Sequence, residues 1–148
     1  MPVSVRLRTE KPDCAAIQGS TLGAHLRRKR RDLGLRRIEV AALLAVDPKT
    51  LMWWERDGRL PVVSAYPAIV LFLGREPWPK PRSLPEALLA ARRIRGLEIR
   101  KAAALIGVDE GTWSHWERGA WKPTRLTLAA LDQFLGLSIA NEFPADVR

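Results

Sequence analysis

The residues able to do chemistry in this chain are mostly cations. Its 148 residues include 25 Lys and Arg against 16 Asp and Glu, a net charge of +9 and a pI near 10.8. Such an excess favours an acidic partner, with nucleic acid first. The densest cluster is Arg27-Arg28-Lys29-Arg30-Arg31. It suggests a phosphate clamp, but five consecutive helical residues point all round the axis and cannot all meet one ligand. Groups that make and break bonds are scarce. The two histidines, His25 and His115, lie far apart, and the single cysteine, Cys14, excludes an intramolecular disulfide and a cysteine-built zinc site. Neither a paired nucleophile and base nor a phosphate-cradling loop is present, and lone acids beside helices serve as caps and ion pairs. The expectation is a protein that is not an enzyme, with no cofactor, no metal and no evident small-molecule ligand. His25 reads as a surface residue and Cys14 as a thiol without a redox role. No apolar run approaches the roughly 18 residues of a membrane span, and residues 1–19 lack a signal peptide's apolar core. A soluble cytoplasmic protein without membrane contact is expected.

The elements that position these cations come in two copies. Residues 21–74 align without a gap on residues 83–136 at an offset of 62, with 20 of 54 positions identical. The pairs include Arg30 with Arg92, Ala41 with Ala103, Asp47 with Asp109, and Trp54-Glu55-Arg56 with Trp116-Glu117-Arg118. The domain organisation follows: an arm over 1–19, a first module over 20–74, a spacer over 75–82, a second module over 83–136 and a short tail over 137–148. The spacer holds Pro77, Pro79 and Pro81, which forbid regular helix and favour extended geometry. At about 3.1 Å per residue it reaches about 25 Å. Trp78 in the spacer and Trp121 are expected to pack between modules.

Each copy has helical periodicity. Thr21 or Ser20 caps a first helix that stops at Gly34, and its counterpart runs from Ser83 to Gly96 with Pro85 in the first turn. Second helices are predicted near Arg37–Leu44 and Ile99–Ile106. Asp47 and Asp109 cap third helices, and fourth helices end at Gly74 and Gly136. Leu51, Trp54, Trp113 and Trp116 are expected to face the core. From Ala41 to Leu51 a small residue is followed four later by Ala45 and six beyond that by an apolar residue; Ala103, Gly107 and Trp113 repeat the arithmetic. The first small residue lets two helices cross closely. The second turns the chain in a left-handed conformation, and the apolar residue pins the next helix. That spacing is the helix-turn-helix pattern.

The strings GLRRIEVAALLAVDPKTLMWWERDGRLP and GLEIRKAAALIGVDEGTWSHWERGAWKP resemble the Cro/XRE-type helix-turn-helix regulators of bacteria and phages. The resemblance implies an all-α chain of two tandem lambda-repressor-like bundles joined by the Pro-rich spacer, with the third helix of each in the major groove of double-stranded DNA. It implies base reading by Lys49, Trp53, Glu110, Ser114 and His115. In chemical terms Lys49 donates to guanine, His115 donates to a base acceptor or phosphate, and Glu110 accepts from cytosine N4. Trp53 needs a thymine methyl, a deoxyribose or another protein as cover. Phosphate contacts fall to Arg36, Arg37, Arg56 and Arg59, and to Arg100, Lys101, Arg118 and Lys122. The family's structural ion pair maps onto Arg30 with Glu55 and Arg92 with Glu117.

Two departures stand out. Arg36-Arg37 and Glu98-Ile99 replace the Ser-Gln that usually opens the family's second helix, and Ala45 replaces the turn glycine at a cost of ~1 kcal/mol. Residues 1–74 carry 13 basic and 7 acidic residues, whereas residues 75–148 carry 12 and 9, so the first module is the more DNA-adapted. The function implied is a sequence-specific transcriptional regulator, such as a bacterial repressor, working as a covalent pseudo-dimer, with a homodimer or a protein partner also open. The rival is an antitoxin-like or scaffolding interaction module that no longer binds DNA.

Overall fold

A computed structural model describes residues 21–147. The arm over 1–19 with Cys14, the alternative cap Ser20, and Arg148 lie outside the described residues. Every regular element among the described residues is helical, and none is long and apolar enough to cross a membrane. In chain order these are α1 (Leu22–Asp32), α2 (Arg37–Leu44), α3 (Pro48–Glu55), a 3-10 turn (Val63–Ala65), α4 (Tyr66–Leu73), α5 (Leu84–Arg95), α6 (Ile99–Ile106), α7 (Glu110–Glu117), α8 (Arg125–Leu135), α9 (Ile139–Glu142) and a closing 3-10 turn (Pro144–Asp146). They form two compact units. The first comprises residues 21–61 with 68–79, and the second residues 62–67 with 80–147.

In the first unit, α1 and α2 both pack on α3. Thr21 caps α1, its Oγ1 accepting from Ala24 N–H at 3.1 Å. Ala41 on α2 is fully buried, which lets α3 approach closely. Ala45 then turns the chain with φ 59 and ψ 42, a left-handed conformation that disfavours a Cβ. Pro48 opens α3 at a position that needs no N–H. Asp47 sits before it at the cap position without a side-chain bond to the backbone.

His25, expected at the surface, is buried at 5% exposure. It lies beside Leu26 on the inner face of α1, and its counterpart Ala87 is buried as well. Arg75 NH2 lies 2.9 Å from His25 Nδ1. A guanidinium only donates, so Nδ1 accepts and the imidazole is neutral. Burial, then the charges of Arg75 and Arg28, push its pKa below the ordinary value.

In the second unit, α5 to α8 surround a core in which Trp113 is fully buried. Its ring meets Phe134 edge-on at 5.4 Å and lies 6.1 Å from Trp116. Ser83 and Gly96 bound α5 as cap and left-handed stop. The 3-10 turn Val63–Ala65 packs on α5 in this unit, and Tyr66 lies under the Arg93 guanidinium at 5.0 Å.

Residues 137–148 were expected to be a tail, but Ile139 and Phe143 complete this core, with Leu137 and Val147 packed against it. Ile139 is fully buried and Phe143 nearly so, both against the same cluster as Trp113. Asp132 Oδ1 accepts from Ile139 N–H, and Asp146 Oδ2 accepts from Leu84 N–H, each at 2.9 Å. The apolar spacing of Leu137, Ile139 and Phe143 is too short to register as a helix period, which is why the sequence reads as a tail there.

Candidate nucleic-acid interface

Each third helix is held in place by one carboxylate, buried in the first unit and partly buried in the second. Glu55, 1% exposed, accepts from Arg30 Nε at 2.6 Å and Arg30 NH2 at 2.9 Å, a bidentate pair. Arg30 also donates to the Leu35 carbonyl at 3.3 Å. Burial alone would push the Glu55 carboxyl up, but the hydrogen bonds from Arg30 and Arg37 outweigh it and hold it below its usual range. The hydrogen bond to Glu55 raises the Arg30 guanidinium in turn. In the second unit, Arg92 holds Glu117 in the same way, at 2.5 and 2.9 Å, and donates to the Leu97 carbonyl at 3.0 Å.

The two carboxylates differ in their third donor. Arg37 Nε reaches Glu55 at 3.0 Å, whereas the Trp113 indole N–H reaches Glu117 at 2.6 Å. Arg37 corresponds to Ile99 and Trp113 to Leu51, so the donor has moved from the second helix to the third. Arg37, expected on phosphate, is therefore engaged by Glu55. Arg36 remains exposed, and its backbone N–H is bonded by Glu39 Oε1 at 2.8 Å.

The outward positions of α3 and α7 carry the expected readers. Lys49 is exposed and Trp53 is 37% exposed, while Glu110 is exposed and Ser114 and His115 are half-buried. Arg56, Arg59, Arg100, Lys101, Arg118 and Lys122 are all exposed. Leu51, Trp54, Trp113 and Trp116 are buried beneath them. Each third helix thus presents an outer polar face on a fixed apolar base. Asp109 caps α7 by accepting from Thr112 N–H at 2.7 Å, and that bond holds its carboxyl below the usual range.

The loop after each third helix folds back over it. Gly58 N–H donates to the Trp53 carbonyl at 2.9 Å, and Ala120 N–H to the His115 carbonyl at 2.9 Å. The Arg59 guanidinium then lies 5.8 Å from the Trp53 ring centre. Trp121, expected to pack between modules, has its ring stacked on His115 within its own unit, centroids 3.8 Å apart and planes 11° from parallel. Trp78, the other tryptophan expected between modules, is half-buried, and its indole donates to Glu76 at 2.8 Å. These covering residues escape sequence reasoning. A signal did exist, because positions 59 and 121 occupy equivalent places in the repeat and both hold side chains that stack on rings.

Among the described residues no group of His, Cys, Asp and Glu is placed to hold a metal. Comparison with curated proteins and with solved structures returns no match. Residues 86–142 match the family described as helix-turn-helix domain, a span from the first turn of α5 through α9, and this supports a helix-turn-helix DNA-binding regulator.

Proposed function

We propose that this chain is a sequence-specific double-stranded-DNA-binding transcriptional regulator of the Cro/XRE type. Its two units act as tandem helix-turn-helix modules in one covalent pseudo-dimer, with α3 and α7 entering the major groove. The observation that carries this reading is the helix-turn-helix match over residues 86–142. The helices it covers recur in the first unit with the same close-packed alanine, left-handed turn and part-buried Arg–Glu pair. Lys49, Trp53, Glu110, Ser114 and His115 serve as base-edge contacts. Arg36, Arg56, Arg59, Arg100, Lys101, Arg118 and Lys122 serve as phosphate contacts. The unequal charge of the two halves makes the first unit the stronger electrostatic anchor. Two diverged modules in one chain favour an asymmetric operator over a palindrome.

The test is selection of bound duplexes from a random pool, followed by titration of the selected site. An enriched motif is expected. With about seven phosphate contacts, affinity falls several thousandfold between about 50 and about 200 mM salt. Lys49→Ala weakens the selected site by about 1–3 kcal/mol. No enriched motif and a flat salt response would transfer the chain to the class of protein-interaction modules.

A further inference from the structure

His115 sits in a built setting that assigns its hydrogen-bonding polarity. Its Nδ1 lies 2.7 Å from the Gly111 carbonyl oxygen. A carbonyl oxygen only accepts, so Nδ1 carries the proton. In the neutral ring this leaves Nε2 with a lone pair and no hydrogen, and Nε2 has no other hydrogen-bond partner among the described residues. Side chains on a helix lean toward its N-terminus. The bond to Gly111, four residues back, draws the ring toward the first turn of α7, the end of a recognition helix that meets base edges.

The ring is clamped as well as oriented. Ala120 and Trp121 N–H both donate to the His115 carbonyl, at 2.9 and 3.3 Å, which brings the Trp121 ring flat onto the imidazole. One face of the imidazole is covered, its Nδ1 edge is committed, and the Nε2 edge remains. The equivalent pair in the first unit, Trp53 under Arg59, repeats the placement with a ring that has no acceptor nitrogen.

We propose that His115 determines specificity in the second unit by presenting Nε2 as an acceptor to an exocyclic amino group in the major groove, adenine N6 or cytosine N4. This rests on the DNA-binding reading above and reverses the polarity expected from the sequence, in which His115 donates. Guanine offers only N7 and O6 acceptors on that edge, and thymine only O4 beside its methyl group. A lone pair on Nε2 rejects both, and it rejects phosphate oxygens for the same reason. Trp121 is a positioning residue, acting through the ring it holds.

The experiment is selection from a random duplex pool with the full chain near pH 8, comparing wild type with His115→Ala, His115→Lys and Trp121→Ala. Thermal melts establish that each variant is folded. The wild-type motif is expected to contain one position, an A·T or a C·G pair, at which removing the exocyclic amino group (purine in place of adenine, pyrimidin-2-one in place of cytosine) weakens binding of the wild type and not of His115→Ala, and the pair recovered separates the two. His115→Ala loses the information at that position while the rest of the motif persists, with about tenfold weaker binding to the wild-type site. His115→Lys, a pure donor, no longer responds to removal of that amino group. Trp121→Ala blurs the same position alone. A motif that His115→Ala leaves unaltered, or wild-type binding that removal of the exocyclic amino group leaves unaltered, overturns this proposal and leaves DNA binding standing. No motif with any variant removes the DNA-binding reading, and this proposal with it.

Discussion

Gly23 and Asp57 are fitted to each other across the first unit. A Cβ on Gly23 would lie 2.6 Å from Asp57 Oδ1 and 2.3 Å from the Trp54 carbonyl oxygen. Into that space the Asp57 carboxylate accepts from Gly23 N–H at 3.2 Å and from Thr21 Oγ1 at 2.9 Å. Asp57 holds φ 58 to do so. The repeat-equivalent residues are Pro85 and Gly119. Proline has no N–H to satisfy, and Gly119 takes the same left-handed turn at φ 75 without strain. Gly23→Ala is therefore expected to destabilise the chain by about 1–3 kcal/mol through overpacking. Asp57→Gly exchanges two hydrogen bonds for relief of the left-handed strain and shifts stability by about 1 kcal/mol or less. Urea unfolding of both variants checks the contrast.

The buried carboxylates make a second prediction. Glu55→Ala leaves the Arg30 guanidinium, 12% exposed, without its counter-charge and is expected to cost about 3–5 kcal/mol. Arg37→Ala removes a partner that is 41% exposed and costs about 1 kcal/mol or less. Chemical denaturation ranks the two, and equal losses would contradict the geometry.

The relocated third donor predicts a coupling. Trp113→Leu removes both the indole N–H on Glu117 and the ring that fills the core, at about 2–5 kcal/mol. Ile99→Arg supplies the donor used in the first unit, so the double variant is expected to recover about 0.5–1.5 kcal/mol of that loss. A double-mutant cycle reads the coupling directly.

His25 predicts a pH response. Its pKa is lowered in the folded chain from an ordinary 6.5, so the unfolded chain binds the extra proton first and stability rises with pH between those two values. Acidification from pH 7.5 is expected to lower the melting temperature once pH passes below 6.5, before carboxylates such as Glu55 titrate. His25→Gln flattens that segment of the melting profile, which a series of thermal scans would show.

Ala45 supplies the simplest gain. Its φ of 59 suits glycine, as the equivalent Gly107 at φ 86 demonstrates. Ala45→Gly is expected to stabilise the first unit by ~1 kcal/mol, raising the melting temperature by a few degrees.

Much of this was legible in the residues themselves. Period and punctuation place α2 and α6, the left-handed turn at Ala45 and the inward faces of Leu51, Trp54, Trp113 and Trp116, because local chemistry decides them. What escaped depends on side chains meeting across long sequence separations. His25 looks like a surface residue until Arg75 is brought beside it, and Arg37 looks like a phosphate ligand until Glu55 claims it. The polarity of His115 is of the same kind: its residue type permits donor or acceptor, and only the neighbouring Gly111 carbonyl chooses. The segment from Ile139 to Phe143 reads as too short for a helix period, and only the apolar cluster around Trp113 gives it a place.

That last segment also sets an order of events during synthesis. The bond from Leu84 N–H to Asp146 spans 62 residues, and Ile139 and Phe143 seal a core whose other walls are made earlier. Contacts so distant in sequence form late. Until residues 139–146 have emerged from the ribosome, the Trp113 side of the second unit remains open to water, and a chain halted before them would offer that apolar face to chaperones and proteases.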